Sequence, residues 1–277
     1  MKMSKKGTSL VYVLLICGVF TIILPLYITI MTAFKTVGEN TASFFALPQQ
    51  LYWGNFEAVL SDGKYLYAFG NTVYVTAFVL LGNMLLMPMI SYAVSRSMAT
   101  SRGYRALYIY LLIGIFIPFQ VKMIPLVKQL SFMNMMHPTG LAILCIGSCT
   151  CEAVFLYVGF LHSIPPDIEE AAYIDGATTA QTYFKVVFPL LRPIIATVLI
   201  RDGLWIWNDF MLPLITLNRS WKYWTLTLFT YNFKTQYSID YSLTFASFVL
   251  SMLPIMIFYV FMQKHIIGGL TSGAVKS

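Results

Sequence analysis

Two clusters of charge interrupt a chain that otherwise reads as one apolar run after another. The first opens the stretch EEAAYIDGATTAQTYFKVVFPLLRP, residues 169–193, whose Glu169, Glu170 and Asp175, with Asp167 just before them, put four acids within nine residues. The second is Arg201, Asp202, Trp205, Asn208 and Asp209, set in a segment that is otherwise apolar. Charges within hydrocarbon are costly and tolerated only against protein or water, so the second cluster reads by default as a functional site. At helical spacing Arg201, Trp205 and Asp209 fall along one stripe, an aromatic between two polar ends. Such a face suits a sugar, because a ring accepts apolar C–H patches while the polar groups take hydroxyls. The competing reading is that Arg201 only pairs with Asp202, Glu152 or an acid of another subunit and so holds helices together.

No other constellation points to catalysis. Cys145, Cys149 and Cys151 form a Cys-x3-Cys-x-Cys cluster inside an apolar run, but no His or carboxylate stands at ligand spacing, so packing is the expected role and no metal is expected. Gly63-Lys64 lacks the glycine five positions earlier that a phosphate-cradling loop needs, which argues against ATP binding by that motif. His137, His162 and His265 are scattered singly at the ends of apolar runs.

The elements that must position these residues are membrane helices. With 58% hydrophobic and 10% charged residues, against about 25% charged in an average soluble domain, the chain has too little polar material to cover a globular core. A helix needs about 20 apolar residues to cross the hydrocarbon layer, and six such spans are expected, near 10–34, 68–95, 105–128, 138–162, 186–212 and 241–264. The first follows Lys2, Lys5 and Lys6 but is too long for a signal peptide and ends in no small-residue cleavage site, so it reads as a retained helix. Those lysines, with Arg96, Arg102 and Arg105 after the second span, put both segments in the cytoplasm. Alternation then places 35–64 and 218–240 outside, the 163–182 loop inside, and the basic tail 265–277 inside. The formal charge of +7 is thus membrane topology, and no nucleic acid is expected as a partner. Gly82, Pro88 and Pro118 are the expected points of helix bending or close packing.

The acidic loop can be read locally. Ser163 is placed to cap a helix whose first turn holds Pro165 and Pro166, with Asp167, Glu169 and Glu170 at its positive end. Asp175-Gly176 ends that helix after about two turns through a residue free to take positive φ. Thr178 and Gln181 have capping-box spacing and start a second helix, which Pro189 and Pro193 steer toward the membrane. Membrane-surface helices carry Lys or Arg on the polar face and bulky residues opposite. This one is acidic and Ala-rich, which favours docking on a protein.

The order Glu170-Ala171-Ala172, Asp175-Gly176-Ala177, Phe184 and Pro189-Leu190 resembles the coupling loop of the membrane subunits of binding-protein-dependent ABC importers. Trp207-Asn208-Asp209-Phe210 with Pro213-Leu214, and the end Gly269 to Lys276, are similar to the carbohydrate permeases, specifically relatives of the second maltose-permease subunit. The likeness covers essentially the whole chain. It implies an all-α membrane protein of the type I importer permease fold: six transmembrane helices, a coupling helix between spans four and five, and both termini cytoplasmic in a bacterial plasma membrane. It further implies a non-enzymatic pore half for a sugar or oligosaccharide, assembled in the lipid with a second similar permease subunit, two ATPase subunits that bind ATP and Mg, and an extracellular sugar-binding protein. Glu170, Ala171, Ala172, Asp175, Gly176 and Ala177 are the implied ATPase contacts, with Gly269, Leu270, Thr271 and Gly273 of the tail as a second contact. Arg201-Asp202 departs from the family, where the residues before Trp-Asn are apolar or small. The alternatives are a permease of the same architecture for a non-sugar solute, or a secondary transporter, which would show internal repeats around a buried ion site.

Overall fold

The computed structural model describes residues 5–232 and 240–274, with side chains from 11 to 232 and from 240 to 261. Helix is almost the only regular structure in it. In chain order the first helices are α1 (Lys5–Ala33), α2 (Val37–Ala42), α3 (Gly54–Ser61), α4 (Gly63–Ser97), α5 (Arg102–Ile115), α6 (Phe119–Phe132) and α7 (Pro138–Leu161). There follow α8 (Asp167–Ile174), α9 (Thr179–Thr182), a π-helical turn Tyr183–Val187, α10 (Phe188–Leu190), α11 (Arg192–Asn208), α12 (Met211–Leu217), α13 (Leu226–Tyr231) and α14 (Tyr241–Ala274). Among the described residues four helices are long and apolar enough to cross a bilayer: α1, α4, α7 and α14. Two bent pairs bring the number to six if each pair is one span.

Both bends have identifiable causes. The expected span 105–128 is two helices, α5 and α6, meeting at 107°. Pro118 sits at the break with φ −58° and ψ 145°; its ring disfavours helix in the residue before it, and it brings no N–H to continue the ladder. The expected span 186–212 is likewise broken, with 69° between the segment Thr179–Leu190 and α11. Pro193, in the first turn of α11, has no N–H to give the carbonyl of Pro189. α14 continues as helix to Ala274, past the expected span end at 264. The tail contacts expected of Gly269, Leu270, Thr271 and Gly273 lie outside the described side chains.

The chain divides into two compact units, 1–66 with 229–254, and 67–228 with 255–277. In the first, α1 presents apolar side chains almost all round, from Val11 to Ile30, as a helix facing lipid does. Beyond its end the connection is held by buried polar groups. Lys35 is fully buried and donates from Nζ to the carbonyls of Ser43 (2.9 Å) and Phe44 (3.1 Å). Burial holds its pKa below the usual lysine value, opposed by the Glu39 carboxylate. Asn55 donates to the carbonyls of Ala33 and Lys35, and Asn40 to the Thr32 carbonyl and the Ser242 hydroxyl.

The second unit contains both charge clusters. One apolar core joins Met87, Tyr92 and Val94 of α4 to Val154, Tyr157 and Val158 of α7, and to Tyr183, Val187, Leu191 and Ile195 further on. A second gathers Val75 and Val79 of α4, Leu141 and Cys145 of α7, Ile206, and Leu212 and Leu217 of α12. α4 and α7 approach closely at Gly82, where an added Cβ would lie 2.6 Å from Cδ1 of Ile146 and would push that side chain aside. Cys145 and Cys149 are buried in these packing surfaces.

Candidate functional site

The 163–182 loop folds as helix, turn, helix. α8 starts at Asp167 with Pro166 as its N-cap. The Ser163 cap is not formed, because its hydroxyl donates instead to the Phe160 carbonyl (2.7 Å) at the end of α7. Asp167, Glu169 and Glu170 occupy the first turn, at the positive end of the helix dipole. At the other end Gly176 takes φ +81°. Its N–H donates to Tyr173 and that of Ala177 to Ala172, the paired bonds of a Schellman ending. A Cβ at Gly176 would meet no neighbouring atom, so the positive φ alone demands glycine. Thr178 and Gln181 form the expected capping box of α9.

The two sides of α8 differ. Glu170, Ala171 and Asp175 are exposed, and Ile174 is 87% exposed beside Ile168 and Tyr173 at 40% and 44%. Apolar side chains displayed this way at the end of an acidic helix are what a protein partner would cover. Glu169 points the other way and is 6% exposed. Its Oε1 accepts from Arg96 Nε (2.8 Å) and pairs with Nη2 (2.7 Å), while its Oε2 accepts from the Tyr92 hydroxyl (2.8 Å). Sequence reasoning missed this residue, having assigned Arg96 to topology alone. No signal in the sequence pairs this acid with Arg96, which stands 73 positions away on α4.

The second cluster lines a cavity of about 350 Å³. Its walls are Ile117, Pro118, Phe119 and Lys122 from the α5–α6 break, Ser148, Cys149 and Glu152 from α7, and Arg201, Asp202 and Trp205 from α11. Arg201 binds Asp202 Oδ1 through Nε (3.0 Å) and Nη2 (2.7 Å), and reaches Glu152 Oε2 with Nη1 (3.1 Å). The other Asp202 oxygen accepts from Asn83 Nδ2 of α4 (2.7 Å). Asp202 is thereby saturated and buried, whereas the side chains of Arg201 and Glu152 keep 32% and 56% of their exposure and Trp205 is 43% exposed. Arg201 cross-links α7 and α11 through Glu152, and it also opens onto a cavity with an aromatic wall. Lys122 of α6 adds a second cation to that wall.

The expected stripe does not extend to its lower members. α11 stops at Asn208, and Asp209 is extended, with ψ 127°. Pro213 has no N–H for the carbonyl of Asp209, which removes the bond that would carry the helix on; Thr227 Oγ1 donates to that carbonyl instead (2.7 Å). The Asp209 carboxylate turns back to accept from the N–H groups of Met211 (3.1 Å) and Leu212 (3.4 Å). Asn208 donates to the Leu204 carbonyl (2.8 Å). Arg201, Asp202 and Trp205 therefore share the cavity, and Asn208 and Asp209 lie outside it.

Residues 87–271, which hold both clusters, match the family described as binding-protein-dependent transport system inner membrane component. The chain belongs to that family. It is 42% identical to a multiple sugar-binding transport system permease protein, MsmG of Streptococcus mutans, over 96% of both chains. It is 32% identical to AmyC of Thermoanaerobacterium thermosulfurigenes, a probable starch degradation products transport system permease, over 91% of both. Among solved structures it matches a chain of a bacterial ABC transporter involved in import of the polysaccharide alginate. That likeness has a TM-score of 0.83 and 21% identity, covers 95% of this chain and 99% of that one, and speaks for the fold. As an inner membrane component of an importer with several apolar helices, this permease resides in a membrane.

Proposed function

We propose that this permease forms half of the pathway for a sugar or oligosaccharide. A second similar permease subunit supplies the other half, and an extracellular binding protein delivers the substrate. ATP and Mg are bound in two separate ATPase subunits, and this chain performs no catalysis of its own. The observation that carries the substrate class is the 42% identity, over nearly the full length, to a permease named for multiple sugars. In this reading each bent helix pair is one span, making six, and both termini are cytoplasmic. α8 is the coupling helix between spans four and five, docked on the ATPase through Glu170, Ala171, Ala172, Asp175, Gly176 and Ala177. The exposed apolar group Ile168, Tyr173 and Ile174 supports a protein partner there.

The cavity holding Arg201, Glu152, Lys122 and Trp205 is where the sugar passes this subunit. At about 350 Å³ it falls in the range of about 300 to 1,000 Å³ usual for small-molecule sites. Its two cations and two acids balance, which suits a neutral ligand rich in hydroxyls, and Trp205 offers a ring face. The experiment is purification of the tagged chain from its native membrane, followed by uptake of labelled oligosaccharides by the reconstituted complex. An ATPase should accompany the wild-type chain and be lost from Glu170→Lys while the variant remains inserted. A chain that purifies as a functional transporter with no ATPase attached would overturn the reading.

A further inference from the structure

The docking role of α8 leaves open how its movement reaches the substrate cavity, and the inference here rests on that docking role. We propose that α4 is the mechanical link between the two, and that Glu169, Arg96 and Tyr92 form the joint at its cytoplasmic end. Glu169 is then a positioning residue and not an ATPase contact.

Four observations converge on α4. Tyr92 and Arg96 stand one turn apart on the same face, and together they fill both oxygens of the Glu169 carboxylate. Arg96 Nη2 also donates to the Ile164 carbonyl (3.3 Å), so the same side chain grips the segment entering α8. The Tyr92 ring packs on Tyr183 at 5.2 Å between centroids, which ties α4 to the π-helical turn leaving α9. Both arms of the helix-turn-helix are thus fastened to one turn of α4. Further back along its length the same helix presents Asn83 to Asp202 at the substrate cavity (2.7 Å). Arg96 and Asn83 are separated by thirteen positions, or about 20 Å at a helical rise.

The joint is built to transmit force. A carboxylate with every partner in place, enclosed by packed rings, has one arrangement and resists sliding. Pro88 removes one backbone bond between the joint and Asn83. The flanking Met87 and Ser91 are buried, and the Ser91 hydroxyl donates to the Met87 carbonyl (2.7 Å), so the helix stays packed through that point. Chains of packed side chains and hydrogen bonds of this kind are what carries coupling between distant sites, provided both sites bias the same element.

The test uses the complete transporter in proteoliposomes: this chain, its partner permease, the ATPase subunits and the sugar-loaded binding protein. Glu169→Gln keeps shape and removes the charge that holds Arg96. It should leave the ATPase bound and its basal hydrolysis intact, while hydrolysis stimulated by the loaded binding protein falls by about 5- to 150-fold, the usual span of a coupling between sites. Uptake per ATP hydrolysed should fall in step. The exchange of Glu169→Arg with Arg96→Glu in one chain should restore part of the stimulation, which a merely structural loss would not allow. Wild-type stimulation and uptake in Glu169→Gln would overturn the proposal, and so would loss of the ATPase from that variant, which would make Glu169 a docking contact. If Glu169→Gln fails to insert, Tyr92→Phe removes the hydroxyl that donates to Glu169 and must still lower the stimulated-to-basal ratio; an unchanged ratio overturns the proposal. Glu170→Lys tests the foundation separately, because retention of the ATPase in that variant would sink the docking role of α8 itself.

Discussion

Glu169 and Asp202 are both buried acids held by an arginine and one neutral donor, yet they do opposite things. The arginine of Glu169 is 73 residues away, on α4, so that ion pair is a cross-link between elements. The arginine of Asp202 is its own neighbour on α11, so that pair fixes only the guanidinium. What leaves the Asp202 cluster is a free edge: Arg201 turns to Glu152, whose side chain is 56% exposed, and both face a cavity. Around Glu169 both carboxylate oxygens are taken up inside the protein, and the exposed residues of α8 are its neighbours. The difference teaches that a buried charge pair is a fixture when its partners close on each other and a site when one of them remains unsaturated.

The largest expected effect separates the two directly. Glu169→Ala strands Arg96 and the Tyr92 hydroxyl, and breaking a buried pair costs about 3 to 5 kcal/mol, read as a lower midpoint of thermal unfolding in detergent. Glu152→Ala removes the exposed partner of Arg201 and should cost less than about 1 kcal/mol, as exposed pairs do. Equal losses would end the distinction between fixture and site. Next comes Trp205→Ala, which should leave thermal stability nearly unchanged because the ring is 43% exposed. Uptake should fall by up to about tenfold, the worth of one aromatic contact. Unaltered uptake with every labelled oligosaccharide would remove Trp205 from the sugar path.

What the sequence made legible follows the range of the interaction. The Gly176 turn and the Thr178 box are set by residues three to five positions apart, so their local chemistry decides them. Hydrophobic length was equally readable, and α7 begins and ends within a residue of the expected 138–162 span. The stripe through Asp209 failed because it assumed an unbroken helix, although Pro213 four residues on already forbade the bond that would continue it. Glu169 could not be read at all, since its meaning lies in Arg96, and an arginine after an apolar run carries the same sequence signal whether it faces lipid headgroups or a carboxylate. Pro118 was a foreseeable bend, but not that the break would carry Lys122 into the wall of the Arg201 cavity.

Smaller effects sharpen the same contrast away from the Glu169 carboxylate and the substrate cavity. Gly176→Ala places a Cβ at φ +81° and should cost about 1 to 2 kcal/mol without touching the Glu169 joint. It should therefore lower stability while leaving the stimulated-to-basal hydrolysis ratio of the bound ATPase in place, the reverse of Glu169→Gln. A drop in that ratio would mean that the turn, and not the carboxylate, carries the coupling.

The smallest effect concerns Glu39, a third acid saturated by donors but lying at the surface. Its Oε2 accepts from the Thr36 N–H (2.9 Å) and hydroxyl (3.0 Å), and its Oε1 from the Gln49 N–H (2.8 Å). The backbone bonds from Thr36 and then Gln49 hold its pKa below the ordinary value of 4.5. A depressed carboxylate pKa means that the unfolded chain takes up its proton first. The contribution of this cap is therefore fully present above about pH 4.5 and disappears as pH falls through the lower folded-state value. Hydrogen exchange of the α2 amides, corrected for intrinsic rate, should show the loss of protection on acidification, and Glu39→Gln should flatten that dependence. If the wild-type protection is already flat through this range, saturation by donors is not what fixes the acid, and the argument made for Glu169 loses its surface counterpart.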